Sequence, residues 1–181
     1  MQGQNILLGV TGGIAAYKTP ELVRQLKRSG ADVQVLMTPY AHHFVTPLAL
    51  GTVSQRRIYQ DFYNEETGEW HNHVAFGNWA DCYLIAPLTS NTLAKMRYGF
   101  CDNLVLATYL SATCRVAIAP AMDRDMYQHP AVQENLQVLK ERHHQVIGPD
   151  HGVLASGLEG TGRMADPAEI VSTLKTTPSF S

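Results

Sequence analysis

Three clusters of small and hydroxyl-bearing residues, and one histidine, carry the groups in this sequence that could do chemistry. Gly9-Val10-Thr11-Gly12-Gly13-Ile14 stands between an apolar run and a helix signal. Small residues at such a junction let backbone N–H groups and a helix N-terminus approach a phosphate. The cluster is neither GxGxxG nor a Walker loop, since no Gly-Lys-Ser/Thr follows. A tight strand-to-helix turn accounts for the glycines equally well. The second cluster is Met37-Thr38-Pro39. A dinucleotide site carries an acid about 20 residues past its glycines, for the ribose hydroxyls. Here a hydroxyl, Thr38, replaces the acid. That argues against a dinucleotide and suits a second hydrogen bond to the single phosphate of a mononucleotide, with a helix cap as the simpler role. The third cluster, Ala86-Pro87-Leu88-Thr89-Ser90-Asn91-Thr92, brings three hydroxyls and an amide to the end of a strand and the start of a helix. Hydroxyls and free helix N–H groups there could grip the polar atoms of a cofactor. An elaborate N-cap would explain one of these residues but not the set.

Six of the eight histidines form one His71-x-His73 pair and two adjacent pairs, His42-His43 and His143-His144. Zinc needs three or four convergent ligands, and neither HExxH nor a cysteine pair supports it, so no metal site is expected. His143-His144 falls at a helix end and reads as solvated, with a favourable dipole contact. His73 precedes the third strand by a short segment and could be a general base near neutral pH. Spacing alone leaves a structural role open for it.

The elements that must position these groups alternate between strand and helix. Asn5–Val10, Ala31–Met37, Cys82–Pro87 and Arg115–Ala119 are short apolar runs of buried-strand type, and Gln145–Ile147 is a shorter one. Helical spacing covers Ile14–Ser29, a start at Asn91–Met96, Leu104–Leu110, Val132–His143 and Asp166–Leu174. Asp166 reads as an N-cap, with Pro167 in the first helical position. Pro39–Leu50 is irregular or helical, and Asn64–Glu69 is an exposed polar loop. Such alternation implies an α/β fold, a parallel sheet with helices on both faces. Ligands of such sheets sit beyond the carboxyl ends of the strands, where the three clusters fall.

Composition narrows the function classes. The 181 residues suit one domain, here 1–175, with 176–181 as a tail or the start of a linker. Net charge is -2 and the pI about 6.4, with no basic patch, so no nucleic-acid partner is expected. Charged residues are 17 %, below the roughly 25 % of an average domain, which suits a surface partly covered by self-association. No apolar run approaches the ~18 residues of a membrane span, and Met1–Asn5 lacks the basic start of a signal peptide. Three cysteines, Cys82, Cys101 and Cys114, read as reduced thiols of a cytoplasmic protein.

Four segments in order carry a family resemblance over almost the whole chain. Gly9-Val10-Thr11-Gly12-Gly13-Ile14-Ala15-Ala16-Tyr17-Lys18 resembles the opening of the flavin-dependent cysteine decarboxylases. Trp79-Ala80-Asp81 and Ile85–Thr92 resemble the family's PASANT region. Pro120-Ala121-Met122-Asp123-Arg124-Asp125-Met126-Tyr127 resembles its PxMNxxMW motif, and Gly157–Met164 its substrate clamp. Within the family the chain resembles the phosphopantothenoylcysteine decarboxylases of coenzyme A synthesis, a unit that many bacteria carry as the N-terminal half of a bifunctional decarboxylase/synthetase. The resemblance implies a Rossmann-like flavoprotein fold and FMN as cofactor. Gly12, Gly13, Ile14 and Thr38 would cradle the phosphate. Ala86, Pro87, Ser90, Asn91, Thr92 and Met122 complete the cofactor set. Met126, Ser156, Gly157, Gly162, Arg163 and Met164 would face the substrate, with His73 and Asp123 catalytic. It also implies trimers, often packed into dodecamers, with flavin at a subunit interface.

The implied chemistry is decarboxylation through an oxidised thiol. Losing CO2 from a cysteine carboxylate leaves a carbanion without an electron sink. Oxidation of the thiol to a thioaldehyde, with flavin accepting the hydride, supplies the sink, and an enethiolate forms. Hydride return gives the saturated thiol, 4'-phosphopantetheine. Two residues depart from the family pattern. Asp123 replaces the usual Asn, and an ionised carboxylate cannot donate to the substrate carboxylate. Asp123 is then protonated by its surroundings, or binds the substrate amide, or is offset by a neighbour such as Arg163. Ser156 replaces the usual Cys that helps reduce the enethiol. Peptidyl-cysteine decarboxylases of lantibiotic maturation lack that Cys and stop at the enethiol, an alternative for this chain. A non-catalytic flavin-binding regulatory subunit is another.

Overall fold

The computed structural model describes residues 1–176. Five strands form a parallel sheet, in the order β2-β1-β3-β4-β5. They are β1 (Asn5–Val10), β2 (Asp32–Met37), β3 (Cys82–Leu88), β4 (Arg115–Pro120) and β5 (Gln145–Val146). Every residue of β3 is buried, which explains why these strands read as unbroken apolar runs. Alternate side chains feed two cores. Ile6, Leu8, Val10, Leu84 and Ala86 face α1 (Thr19–Arg28), α2 (Pro47–Ser54) and α8 (Pro167–Thr176). Leu7, Tyr83, Ile85 and Ile118 face α4 (Ser90–Tyr98), α5 (Leu104–Ser111) and α7 (Pro130–Glu141), with Phe76 and Trp79 of α3 (His73–Trp79) against the same core. The expected α/β layering is therefore present.

Several boundaries differ from the sequence expectation, each for a local reason. The Ile14–Ser29 helix is two pieces, a 3-10 turn at Ile14–Lys18 and then α1. Pro20 has no N–H to give the Ala16 carbonyl, and the Thr19 hydroxyl donates to it instead at 2.7 Å. Pro39–Leu50 resolves into a 3-10 turn at Ala41–His43 and α2, whose cap is Thr46, accepting from the Ala49 N–H at 3.1 Å. The helix expected from Val132 starts at Pro130, capped by His129, and ends at Glu141. Asp166 Oδ1 accepts from the Ala168 N–H at 3.0 Å, as expected of a cap. Three elements were not anticipated: α3, the short α6 (Arg124–Gln128), and an antiparallel hairpin of β6 (Asp150–Val153) and β7 (Glu159–Arg163). Of the expected tail, Thr176 is the last residue of α8, and 177–181 lie outside the described residues.

No helix among the described residues is long and apolar enough to cross a membrane. No group of three or more His, Cys, Asp or Glu among them could hold a metal ion.

Candidate functional site

The connection out of β1 leads to β2 on one side while β3 pairs on the other, so a crevice opens between the carboxyl ends of β1 and β3. Thr11 ties its two walls together. Its buried hydroxyl donates to the Pro87 carbonyl at 2.7 Å and accepts from the Thr89 N–H at 3.1 Å. The chain then runs tight: a Cβ on Gly12 would stand 3.0 Å from the Tyr40 backbone, and one on Gly13 would stand 3.2 Å from Thr89 Cγ2. The ends of three strands are thus drawn to side-chain contact. The glycines serve this close approach as well as the turn.

A cavity of about 910 Å³ opens from this point. Gly12, Gly13 and Ile14 line one end with Thr38 and Tyr40. Ser90, Asn91 and Thr92 line it from the first turn of α4, where N–H groups lack partners inside the helix. The α4 cap is Thr89, whose hydroxyl oxygen accepts from the Thr92 N–H. Two helical starts and several hydroxyls converge there, which is the electrostatics of an anion cradle. Lys95 also lines the cavity, but its ammonium is paired with the Asp102 carboxylate.

The opposite wall comes from the segment after β4 and from the hairpin. The Met122 N–H donates to the Gly162 carbonyl at 2.9 Å. A Cβ on Gly162 would stand 2.3 Å from the Met122 carbonyl oxygen, so only glycine lets the hairpin lie this close. Met122, Asp123, Met126, Ser156, Gly162, Arg163 and Met164 all face the cavity. Asp123 caps α6, and the Ser156 hydroxyl donates to its Oδ2. That hydroxyl, above all, holds the Asp123 carboxyl below the usual carboxylate range. Arg163 has its nearest carboxylate, Asp150, at 4.0 Å. Lys18 lines the cavity too, donating to the Met164 carbonyl at 3.2 Å. Burial, and then the Arg163 charge, push the Lys18 amine below its ordinary range.

Four expected site residues lie elsewhere. Ala86 is fully buried in the first core, and Pro87 acts through its carbonyl on Thr11. Gly157 sits in the hairpin turn at φ +84°, with open space around it. His73 opens α3, away from the cavity lining, with its ring edge-on to Phe62 and Trp70 at 6.4 and 5.9 Å. Its Nδ1 is buried without a hydrogen-bond partner. Beside it Tyr63, Trp70, Val74 and Leu110 are exposed, on α3, on the strand-like contact before it, and at the end of α5 against which Gly77 packs. His71, by contrast, is buried and bonds the Asp61 carbonyl at 2.6 Å. His144 is not solvated as expected: its Nε2 pairs with the Tyr109 hydroxyl at 2.8 Å, and burial lowers its pKa.

Sequence reasoning left Thr11, Lys18 and Tyr40 without a role, although all three fall inside or beside its clusters. Only the contact of separate strand ends reveals them.

A family model described as Flavoprotein matches residues 1–178. The chain is 44 % identical over 171 residues to the coenzyme A biosynthesis bifunctional protein CoaBC of Escherichia coli K12, covering 94 % of this chain and 42 % of that protein. It is 56 % identical over 127 residues to a cysteine/cysteine sulfinic acid decarboxylase of an unknown prokaryotic organism, covering 70 % of this chain and 35 % of that one. The chain thus spans less than half the length of these curated relatives. Among solved structures, it is similar to a PPC decarboxylase with a cysteine-to-serine substitution, complexed with pantothenoylaminoethenethiol. There the TM-score is 0.86 at 32 % identity, over 96 % of this chain and 97 % of that one. The FMN binding protein AtHal3 gives a TM-score of 0.81 at 31 % identity, over 96 % of each chain.

Proposed function

Because this chain belongs to the flavoprotein family, we propose that it binds FMN and decarboxylates 4'-phosphopantothenoylcysteine to 4'-phosphopantetheine, a cytoplasmic step of coenzyme A synthesis. The carrying observation is one cavity at the β1/β3 crevice. It joins the cradle of Gly12, Gly13 and the α4 start to a wall bearing Asp123, Ser156 and Arg163. Its volume lies within the roughly 300–1,000 Å³ of cofactor and ligand pockets. A cradle from which Tyr40 and Thr89 exclude side chains at 12 and 13 fits a phosphate, and Ala121, Met122, Met126 and Leu154 offer apolar surface for a ring system.

The N–H groups of Gly12 and Ile14 and those of Ser90 and Asn91 hold the phosphate, Gly13, whose own N–H donates to the Thr11 carbonyl, leaves it room, and the Thr38 hydroxyl adds a donor. Ala86 and Pro87 hold the frame from behind. When bound, the flavin supplies reversible hydride transfer with the substrate thiol carbon. Lys18 and Arg163 offer positive charge to the substrate's phosphate and carboxylate. Met122, Met126 and Met164 keep water from the reacting carbons, and Gly157 and Gly162 let the hairpin close the wall. His73 takes the thiol proton. It does so from a second copy of the chain, seated on the exposed apolar surface beside His73, since that side chain is outside the cavity of its own chain. A homotrimer, or trimers packed into a dodecamer, is the assembly this reading carries.

The variant His73→Asn tests it. It should retain flavin absorbance and lose CO2 release. Undiminished CO2 release would remove His73 from the mechanism.

A further inference from the structure

We infer that Asp123 lets this cavity also accept a cysteine whose α-amino group is free and protonated. The inference rests on the decarboxylase reading above and adds a second substrate class to it.

Charge at the cavity wall sets the preference. Asp123 lines the cavity, and it is ionised at neutral pH because a neutral hydroxyl, that of Ser156, donates to Oδ2. Its Oδ1 accepts a long bond from the Asp125 N–H at 3.4 Å, and the Arg124 backbone N–H and, more weakly, the Arg124 charge also favour the ionised form. The adjacent guanidinium of Arg124 turns to Asp125 instead, with Nε 2.9 Å from Oδ1. Arg163 has Asp150 as its nearest carboxylate. The carboxylate therefore faces the cavity held by neutral donors, with no cation in ion-pair contact among the described residues. A negative group placed so favours a cationic ligand group and disfavours an anionic one.

An N-acylated cysteine brings a neutral amide N–H, which Asp123 accepts in an ordinary hydrogen bond. A free cysteine brings an ammonium, and the bond becomes charge-assisted on both sides. The cysteine carboxylate then falls to the cations of the same cavity, Lys18 and Arg163. A zwitterion thus finds both its charges answered on one wall, by groups held close through the Met122 N–H to Gly162 carbonyl bond. The relative named as a cysteine decarboxylase agrees with this, but the charge balance carries it.

The reaction balances without a new reagent. The bond from Cα to the carboxyl carbon breaks, CO2 leaves, and a proton takes its place. The two electrons withdrawn when the thiol is oxidised return in the last step, and 2-aminoethanethiol is the product.

The test uses the flavin-loaded protein and two comparisons. In turnover, kcat/KM is measured for free L-cysteine and for phosphopantothenoylcysteine, in the wild type and in Asp123→Asn. Wild type should release CO2 from both. The variant should lower the ratio of cysteine to acylated substrate by about tenfold to a hundredfold, the usual worth of a hydrogen bond to a charged group. An unchanged ratio, or a wild type that turns over the acylated substrate alone, overturns the inference. In binding, calorimetry compares the unreactive L-serine with N-acetyl-L-serine. The wild type should prefer L-serine, and added salt should narrow the preference by screening Asp123. Equal affinities at low salt overturn it, even if the variant fails to fold. If neither thiol substrate is turned over, the decarboxylase reading falls, and the serine comparison still decides whether Asp123 selects an ammonium.

Discussion

Asp123 and Ser156 stand 33 positions apart in the chain and meet in one hydrogen bond. Each departs from the family pattern, and the fold shows that the two departures touch. The contact favours the ionised form of Asp123. Of the three possibilities that the residue alone leaves open, protonation drops out, because the Ser156 hydroxyl holds the carboxyl below its ordinary range. Arg163 does not neutralise it either, being nearest to Asp150. None of this is legible in sequence, since a hydroxyl donor carries no pattern. His144 teaches the same lesson in the opposite direction. A helix end suggests a raised imidazole pKa, but burial beside Tyr109 lowers it from 6.5. The folded pKa is thus below the unfolded one. The resulting stability is present above about pH 6.5 and is lost as pH falls through the folded value. Urea midpoints of wild type and His144→Gln should therefore converge between pH 7.5 and pH 5. Parallel curves would show that His144 contributes nothing to the acid limb.

At the scale of elements, β1 to β4 were readable because both their faces are buried, which writes them as apolar runs. The helices were readable where prolines and caps mark their starts, as at Asp166-Pro167. The three unanticipated elements share a cause. Asp-His-Gly-Val and Glu-Gly-Thr-Gly-Arg alternate in burial, but their covered positions are an Asp and glycines, so no apolar pattern marks them, and α3 and α6 have only 7 and 5 residues. Tertiary contact builds them: the hairpin exists where Gly162 meets Met122, and α3 where Gly77 meets the end of α5. The crevice depends on contact as well. Thr11→Val keeps the shape of the side chain but leaves the Pro87 carbonyl and the Thr89 N–H unpaired in a buried place. Such a loss costs about 1–3 kcal/mol. Denaturant unfolding should show that loss, and dialysis should strip flavin faster from the variant. Wild-type stability and retention would mean that Thr11 does not set the crevice.

At the scale of the whole molecule, most of the expected site comes together in one chain and His73 does not. The sequence resemblance could name His73, and no single-chain pattern could say which copy's cavity it serves. If a second copy supplies it, two inactive variants should repair one another. His73→Asn keeps an intact cavity, and Gly13→Asp puts a carboxylate into the phosphate cradle while keeping His73. Refolded together, they should regain CO2 release that neither shows alone. No recovery would confine the chemistry to one chain. The low share of charged residues and the exposed Tyr63, Trp70, Val74 and Leu110 agree with a covered face. Mass spectrometry of the product after anaerobic incubation of the flavin-loaded protein with phosphopantothenoylcysteine reads the reaction itself. The product should have lost CO2 and nothing else, with the flavin oxidised at the end, so that Ser156 suffices where a Cys is usual. A product lacking two further hydrogens, with the flavin left reduced, would contradict this, and so would unchanged substrate.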